Sequence, residues 1–264
     1  TALGIVSLGQ TLLMIAGGVD LSVSAVITLG VLLGASVMEG QTAMMAPAIL
    51  SVLALGVLMG LVNAFCVLRL QVQPFIATLG TMVIGRGIAL AYTKVPVGRV
   101  ARPYLFLSEG SFLGLPIAIY LLIAAVAVAT FVLHKTRLGT YFYAVGGSPG
   151  VARAAGISVE RIRLVSYLIC SFTAAMTSLY LLSRMGVGDP SVGPGYEFDS
   201  LTATVVGGTS FAGGRGGVIG TVGGVLMIAV LSNLLNLLNV STWYQQIVKG
   251  LIILFAVAVY RQTR

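Results

Sequence analysis

Long apolar runs fill this chain, at residues 3–19, 23–38, 46–68, 75–93, 116–133, 164–183, 201–212, 218–238 and 243–260, with only short polar breaks between them. Most have the roughly 17 to 25 residues that carry an α-helix across the hydrocarbon layer of a bilayer. Charge is too scarce to cover a soluble fold: 15 Lys/Arg and 7 Asp/Glu make up 8% of the 264 residues, where soluble domains carry about 25%. A backbone inside lipid must satisfy its own hydrogen bonds, and runs of this length do so as helices. The expected fold is all-α: a polytopic transmembrane helical bundle of about nine visible spans, some broken or short, with residues 1–264 forming one transmembrane domain. The 34 glycines are nearly twice the usual share of about 7%, which suits closely packed membrane helices. Small-xxx-small spacings at Gly30/Gly34, Gly56/Gly60, Gly216/Gly220 and Gly220/Gly224 mark where helices can approach.

Lys and Arg positions set the orientation. The formal net charge of +8 is spread thinly between the apolar runs, with no basic stripe, so nucleic acid is not an expected partner. The segment 134–163 carries Lys135, Arg137, Arg153, Arg161 and Arg163, which places it in the cytoplasm. Alternating the spans from there puts Arg69, Arg261 and Arg264 on the same side. Lys94, Arg99, Arg102 and Arg184 fall outside. The chain starts at Thr1 with an apolar run and its first basic residue is Arg69, so the start is not a signal peptide. If every run crosses, the visible N-terminus lies outside, and one further span before it returns the terminus to the cytoplasm.

Several kinds of chemistry are absent from the pattern. His134 is the single histidine and lies in a basic loop, so neither a multi-histidine metal site nor a Ser/His intramembrane protease can be assembled. Cys66 and Cys170 sit inside apolar runs as small buried hydrophobes. Gly208-Thr209-Ser210-Phe211-Ala212-Gly213-Gly214-Arg215 imitates the start of a phosphate loop but lacks the Lys-Ser/Thr ending. It reads as a bend or a close backbone contact. No metal and no cofactor is expected.

Polar residues within or beside the spans are the candidate working groups. Gly17-Gly18-Val19-Asp20-Leu21-Ser22 reads as a helix break with a restart, Asp20 or Ser22 capping the helix that follows. Such breaks survive at membrane depth only where buried in protein or lining a watery cavity. Asp20, Ser22, Arg86, Asn233 and Asn236 are therefore candidates for intramembrane polar contacts or a solute path. Arg86 lies deep in its span and is expected to face the bundle, with Asp20 as a conceivable partner. In the cytoplasmic segment, Ser148-Pro149 is a helix start and Gly156 a left-handed stop, which predicts a two-turn helix over 149–155. Ser158 can cap the next helix, with Glu160 in its first turn.

Several blocks together resemble the sugar-type, ribose permease-like group of ATP-binding-cassette importer permeases, within the branched-chain amino-acid/sugar permease superfamily. They are Gly18-Val19-Asp20-Leu21-Ser22-Val23; Gln73-Pro74-Phe75-Ile76-Ala77-Thr78-Leu79-Gly80 with Arg86-Gly87; Thr136-Arg137-Leu138-Gly139 through Gly146-Gly147; and 152–163 with Gly156-Ile157. Gly195-Tyr196-Glu197, Val206 to Ser210, Gly213 to Gly216, Asn233 with Asn236-Leu237-Leu238, and Tyr244-Gln245-Gln246 with Lys249-Gly250 extend it over nearly the whole chain. Ser24 and Ser148 depart from the usual Gly and Asn, and the family's first membrane helix has no counterpart.

The resemblance implies a non-enzymatic transport subunit in a bacterial cytoplasmic (inner) membrane. It would work with a second permease copy or paralogue, two cytoplasmic ATPase subunits and an external solute-binding protein. It makes 134–163 the coupling loop and assigns Pro149, Ala152, Arg153, Gly156 and Ile157 to ATPase coupling, with Ala152, Arg153 and Gly156 in contact with the ATPase. Lys94, Arg99 and Arg102 become candidates for docking the binding protein. The implied cargo is a monosaccharide. A branched-chain amino acid or nucleoside is the alternative within the superfamily, and an ATP-independent secondary transporter or channel the alternative outside it.

Overall fold

A computed structural model describes residues 1–241 and 244–252. In chain order the helices are α1 (Ala2–Ile15), α2 (Val23–Met38), α3 (Met45–Leu68), α4 (Pro74–Tyr92), α5 (Phe106–Glu109), α6 (Ile117–Lys135), α7 (Arg137–Gly147), α8 (Pro149–Ala154), α9 (Val159–Met185), α10 (Tyr196–Val206) and α11 (Val218–Leu237). Residues 244–252 are also helical, and the rest of the ninth apolar run lies outside the described residues. A two-residue hairpin, Ser111–Phe112 with Leu115–Pro116, is the only sheet among the described residues. The all-α membrane bundle expected from the apolar runs is what forms.

Among the described residues, five helices are long and apolar enough to cross a membrane. α1, with 14 residues, and α10, with 11, rise only about 21 and 17 Å. Both lie inside the bundle, most of their residues being buried. α9 is the central post, packing along α1, α2 and α3. Half of its most apolar stretch is buried, against 17% for α6, whose open flanks are the kind that meet lipid. In α1 every residue except Leu3 is buried, including Ser7, Gln10 and Thr11. Thr11 pairs there: its Oγ1 lies 2.6 Å from Thr221 Oγ1 of α11 and 3.4 Å from Thr204 Oγ1 of α10, whereas the Ser7 hydroxyl has no partner among the described residues.

Glycine sets the closest contacts. On α2, Gly30 and Gly34 meet Ser178 and Leu182 of α9; on α3, Gly56 and Gly60 meet Ala175 and Leu168 of the same helix. α10 and α11 touch backbone to backbone, Gly220 against the Gly207 carbonyl and Gly224 against the Ala203 carbonyl. Of the four small-residue spacings, only the Gly216 position serves a loop instead of a helix face, since α11 begins at Val218.

The two ends of the bundle differ. At one end α9 stops on Gly186 (φ 73°), and segment 97–101 is pinned across the top of the bundle. Val97 and Gly188 exchange backbone hydrogen bonds of 2.8 and 2.9 Å, Val100 N donates to Gly186 O, and Gly40 N donates to Arg99 O. At the other end α6 turns into α7 at Thr136, whose hydroxyl accepts from Gly139 N. The segment expected as a loop over 134–163 is thus largely helical, since α7 and α8 fill most of it.

Adjacent glycines on α11 test the close packing. A Cβ at Gly224 would fall on the Ala203 carbonyl, whereas one at Gly223 would meet nothing within 4 Å. Gly224→Ala is expected to destabilise by about 1–3 kcal/mol. Gly223→Ala is expected to be neutral or stabilising by up to about 1 kcal/mol. Thermal unfolding of the detergent-purified proteins reads the difference, and equal melting temperatures would contradict the contact.

Candidate functional site: a sealed helix break beside the 134–163 segment

The break between α1 and α2 is a knot of buried polar groups. Gly17 takes φ 82°, and Gly18 N donates back to Leu13 O at 3.0 Å, so α1 ends within its own last turn. The chain then turns on Asp20. Its Oδ1 accepts from the Ser22 N–H at 2.8 Å and from the Ser22 hydroxyl at 2.6 Å. Asn63 of α3 donates to both carboxylate oxygens at 3.3 Å and to Ser22 Oγ at 2.7 Å. Ser171 of α9 donates to Oδ2 at 3.2 Å, and Thr81 of α4 donates to Asn63 Oδ1 at 2.7 Å. With its amide turned to match the surrounding donors and acceptors, the Gln10 side chain of α1 bridges the Asp20 backbone, donating to its carbonyl and accepting from its N–H, both at 3.2 Å. Asp20, Ser22, Asn63 and Ser171 are all 0% exposed.

Two helices, α3 and α9, therefore meet the break at one carboxylate, with α4 joined through Asn63 and α1 through the Asp20 backbone. Asp20 serves the restart of α2, as the sequence suggested, but by holding Ser22 instead of a first-turn N–H. Ser22 spends its hydroxyl on Asp20 and makes no capping bond of its own. Asn63 lies five residues before the end of α3, about 8 Å along the axis, so the knot sits in the half of the bundle nearest α7 and α8.

Arg86 is not part of the knot. It was expected to face the bundle, yet within this chain it lies exposed on α4, and among the described residues it forms no ion pair. The buried side of α4 is instead Ala77, Thr78, Thr81, Gly85 and Ala89. Asn233 and Asn236 are likewise exposed on α11; Asn236 Oδ1 accepts from Gln245 Nε2 at 2.7 Å. A polar pair that the sequence reading missed is Lys249–Asp199 at 2.7 Å, both side chains about four-fifths buried. The signal was present, a lysine inside the last apolar run, but its depth relative to Asp199 needs the fold.

The segment after α6 is built as the sequence predicts, with one reversal. Ser148 Oγ accepts from Val151 N at 3.4 Å and Pro149 opens α8. Gly156 has φ 80°; Gly156 N donates to Arg153 O and Ile157 N to Ala152 O, both at 2.9 Å, the double bond pattern of a left-handed helix stop. Arg153 pairs with Glu160 at 2.8 Å, an exposed bridge. Ala152, expected to face a partner, is only 2% exposed and packs with Phe142, Val145, Val159 and Ile162. A small residue on a short helix suits a tight inner contact, and this one is used inward. The outward apolar side chain is Val151, 69% exposed. Arg153 and Gly156 remain exposed, and Ile157 packs against the cluster holding Ala152.

A glycine-lined seam joins this segment to the break. Gly214 N donates to Ile15 O at 2.9 Å, and a Cβ on Gly146 at the end of α7 would fall on that same carbonyl. Gly213 approaches Gly146 and Gly17, and Tyr143 donates to Gly216 O at 2.8 Å. The phosphate-loop look-alike is thus a close backbone junction. Burial pushes the Tyr143 phenol above the ordinary tyrosine range. At the opposite end, Lys94, Arg99 and Arg102 are all exposed around the pinned segment 97–101.

Removing a donor from a buried carboxylate is costly. Asn63→Ala is expected to lower stability by about 1.5–3 kcal/mol. Ser171→Ala, which loses one longer bond, is expected to cost less. Melting curves of the purified variants give the order, and an unchanged melting temperature for Asn63→Ala would contradict the role of the knot.

Comparison with known proteins places these features. A family model described as branched-chain amino acid transport system / permease component matches residues 1–257. The ribose import permease protein RbsC of Escherichia coli (strain K12) is 38% identical over 260 residues, covering 97% of this chain and 81% of that protein. RbsC of Bacillus subtilis (strain 168) is 37% identical over 263 residues, covering 98% and 81%. The galactose/methyl galactoside import permease protein MglC of Escherichia coli (strain K12) is 35% identical over 274 residues, covering 96% and 81%. No solved structure matches. With helices, break and the 134–163 segment in the order the sequence blocks implied, the chain belongs to the branched-chain amino acid transport system / permease component family.

Proposed function

We propose that this chain is the membrane-spanning subunit of an ATP-binding-cassette importer that moves a simple sugar across a bacterial cytoplasmic membrane. It is a transport subunit, and ATP hydrolysis resides in a separate cytoplasmic partner. The relatives named for ribose and galactose import support a sugar over a branched-chain amino acid or a nucleoside. A secondary transporter would need an intramembrane carboxylate open to its coupling ion. Asp20 favours the ATP-driven reading, because it is fully buried and bonded to side chains of its own chain.

The observation that carries the coupling role is the exposed side of α8. A six-residue helix is unstable alone; this one rests on the permease through Ala152 and presents Val151, Arg153 and Gly156 outward. The ATPase subunit docks there. Motion of α8 passes through α7 and the Gly146–Gly214–Ile15 seam to the break that Asp20 holds. At the other end Lys94, Arg99 and Arg102 receive the solute-binding protein, on a segment already pinned to α2 and α9.

The solute path runs along the face of α4 that carries Arg86, between two permease copies. Ile76, Gly80, Val83, Arg86 and Gly87 share that exposed face. An arginine turned to lipid inside a span costs about 2.5–3.5 kcal/mol on insertion scales, which favours protein or water there.

Reconstitution tests the function. Proteoliposomes holding the permease, its ATPase and its binding protein are expected to take up ribose or galactose only with ATP, and excess leucine should not compete. Uptake without ATP, or blocked by leucine, would overturn the reading. For the coupling role, Val151→Glu and Gly156→Val are expected to reduce ATPase co-purification or ATP-driven uptake at least about tenfold, whereas Gly156→Asn, which tolerates the left-handed conformation, retains most of both. Normal coupling in Gly156→Val/Val151→Glu would contradict the assignment.

A further inference from the structure

A groove of about 540 Å³ lies between the last two turns of α3 and the first turns of α9, lined by Leu61, Ala64, Phe65, Leu68 and Leu164 with Arg69, Glu160 and Arg161. We propose that it binds an anionic phospholipid of the inner leaflet, the phosphate on Arg69 and Arg161 and an acyl chain along the apolar wall. The inference rests on the membrane orientation adopted above. It concerns a surface that adjoins α8 only through the Arg153–Glu160 bridge and lies apart from the knot and the Arg86 face of α4.

Both walls have the same polarity gradient. On α3 the apolar residues fall at i, i+3, i+4 and i+7, a single stripe about 10 Å long, and Arg69 follows directly at the helix end. α9 runs the other way, so Arg161 lies in its first turn and Leu164 one turn deeper. The arginines of both helices therefore stand at the cytoplasmic rim, with the apolar wall on the hydrocarbon side. A soluble anion would have no use for the wall, and a plain acyl chain no use for the arginines. A molecule with a phosphate at one end and a chain at the other matches both.

Charge at the rim fits the same ligand. Arg69 and Arg161 are exposed, and among the described residues neither has an acidic side chain within 4.0 Å. The one carboxylate lining the groove, Glu160, is engaged by Arg153 at 2.8 Å. Two free guanidinium groups at an interface are suited to a phosphate, which they can bind through paired N–H donors. Basic pockets between membrane helices on the cytoplasmic side are a recognised setting for such headgroups.

Native mass spectrometry of the full permease, purified from membranes containing phosphatidylethanolamine, phosphatidylglycerol and cardiolipin, tests the proposal. Wild type is expected to retain phosphatidylglycerol or cardiolipin in preference to phosphatidylethanolamine. Arg69→Gln/Arg161→Gln is expected to lower that retention at least about tenfold, because charge-assisted phosphate bonds are lost. Arg69→Lys/Arg161→Lys should keep a substantial part of it. Leu61→Trp, which fills the groove from an exposed wall position and leaves both arginines in place, should lower it as well, so a poorly folding double variant does not block the test. Undiminished retention in the Gln pair or in Leu61→Trp would overturn the proposal. So would loss of ATPase co-purification with lipid retention unchanged, since the arginines would then be partner contacts. Failure of the import reading shows separately, as absent ATP-dependent uptake with lipid retention intact.

Discussion

Keeping the Asp20 carboxylate inside a low-dielectric bundle obliges the chain to bring hydrogen-bond donors to it from several directions, and much of the inner half follows from that demand. An ionised group stripped of water costs several kcal/mol unless it is paired or well bonded. Among the described residues no cation pairs with it. Ser22, Asn63 and Ser171 supply side-chain donors, Thr81 fixes the Asn63 amide, and Gln10 satisfies the Asp20 backbone. The same set solves a second problem. A broken helix leaves unpaired N–H and C=O groups that hydrocarbon cannot satisfy, and the knot answers several of them at once. That is how a chain can stop α1 after 14 residues and restart at α2 without opening a gap.

Consequences spread outward from this fixed point. The end of α1 offers the Ile15 carbonyl, and Gly214 takes it because Gly146, Gly213 and Gly17 leave room for backbones to meet. α7 is thereby held against the break, and α8 hangs from α7 through the Ser148 cap. Close backbone contacts deform little. Under the proposed coupling role a push on α8 is passed on instead of absorbed, while the flanks of α6 and α11 are little buried within this chain.

Much of this was legible in the sequence where a physical rule works locally. Apolar run length gave the bundle, and the 23–38 run is α2 to the residue. Ser148, Pro149 and Gly156 each have a conformational reason to sit where they do, and α8 differs from the reading by one residue at its end. Facing was harder. α4 has no clear apolar stripe, with Thr78 and Thr81 on one side and Arg86 on another among small and apolar residues, so its periodicity does not say which side meets α2. Ala152 could have faced either way, and only the packing around Phe142 and Val145 decides it. The partners of Asp20 were visible as lone polar residues within apolar runs, but Asn63 and Ser171 are separated from it by 43 and 151 positions, and no local rule joins them. α7 lay hidden inside a segment read only for its charge.

A direct test of the rigid seam is a distance measurement across it. Nitroxide labels at Thr140 on α7 and Ile219 at the start of α11, both exposed, would be placed in the permease–ATPase complex and read by pulsed electron spin resonance. A seam that carries motion from α8 to the break as one body predicts a single narrow distance, the same without nucleotide and with ATP bound. A broad distribution, or a shift on ATP binding, would mean that α7 moves free of the break and would contradict the coupling route.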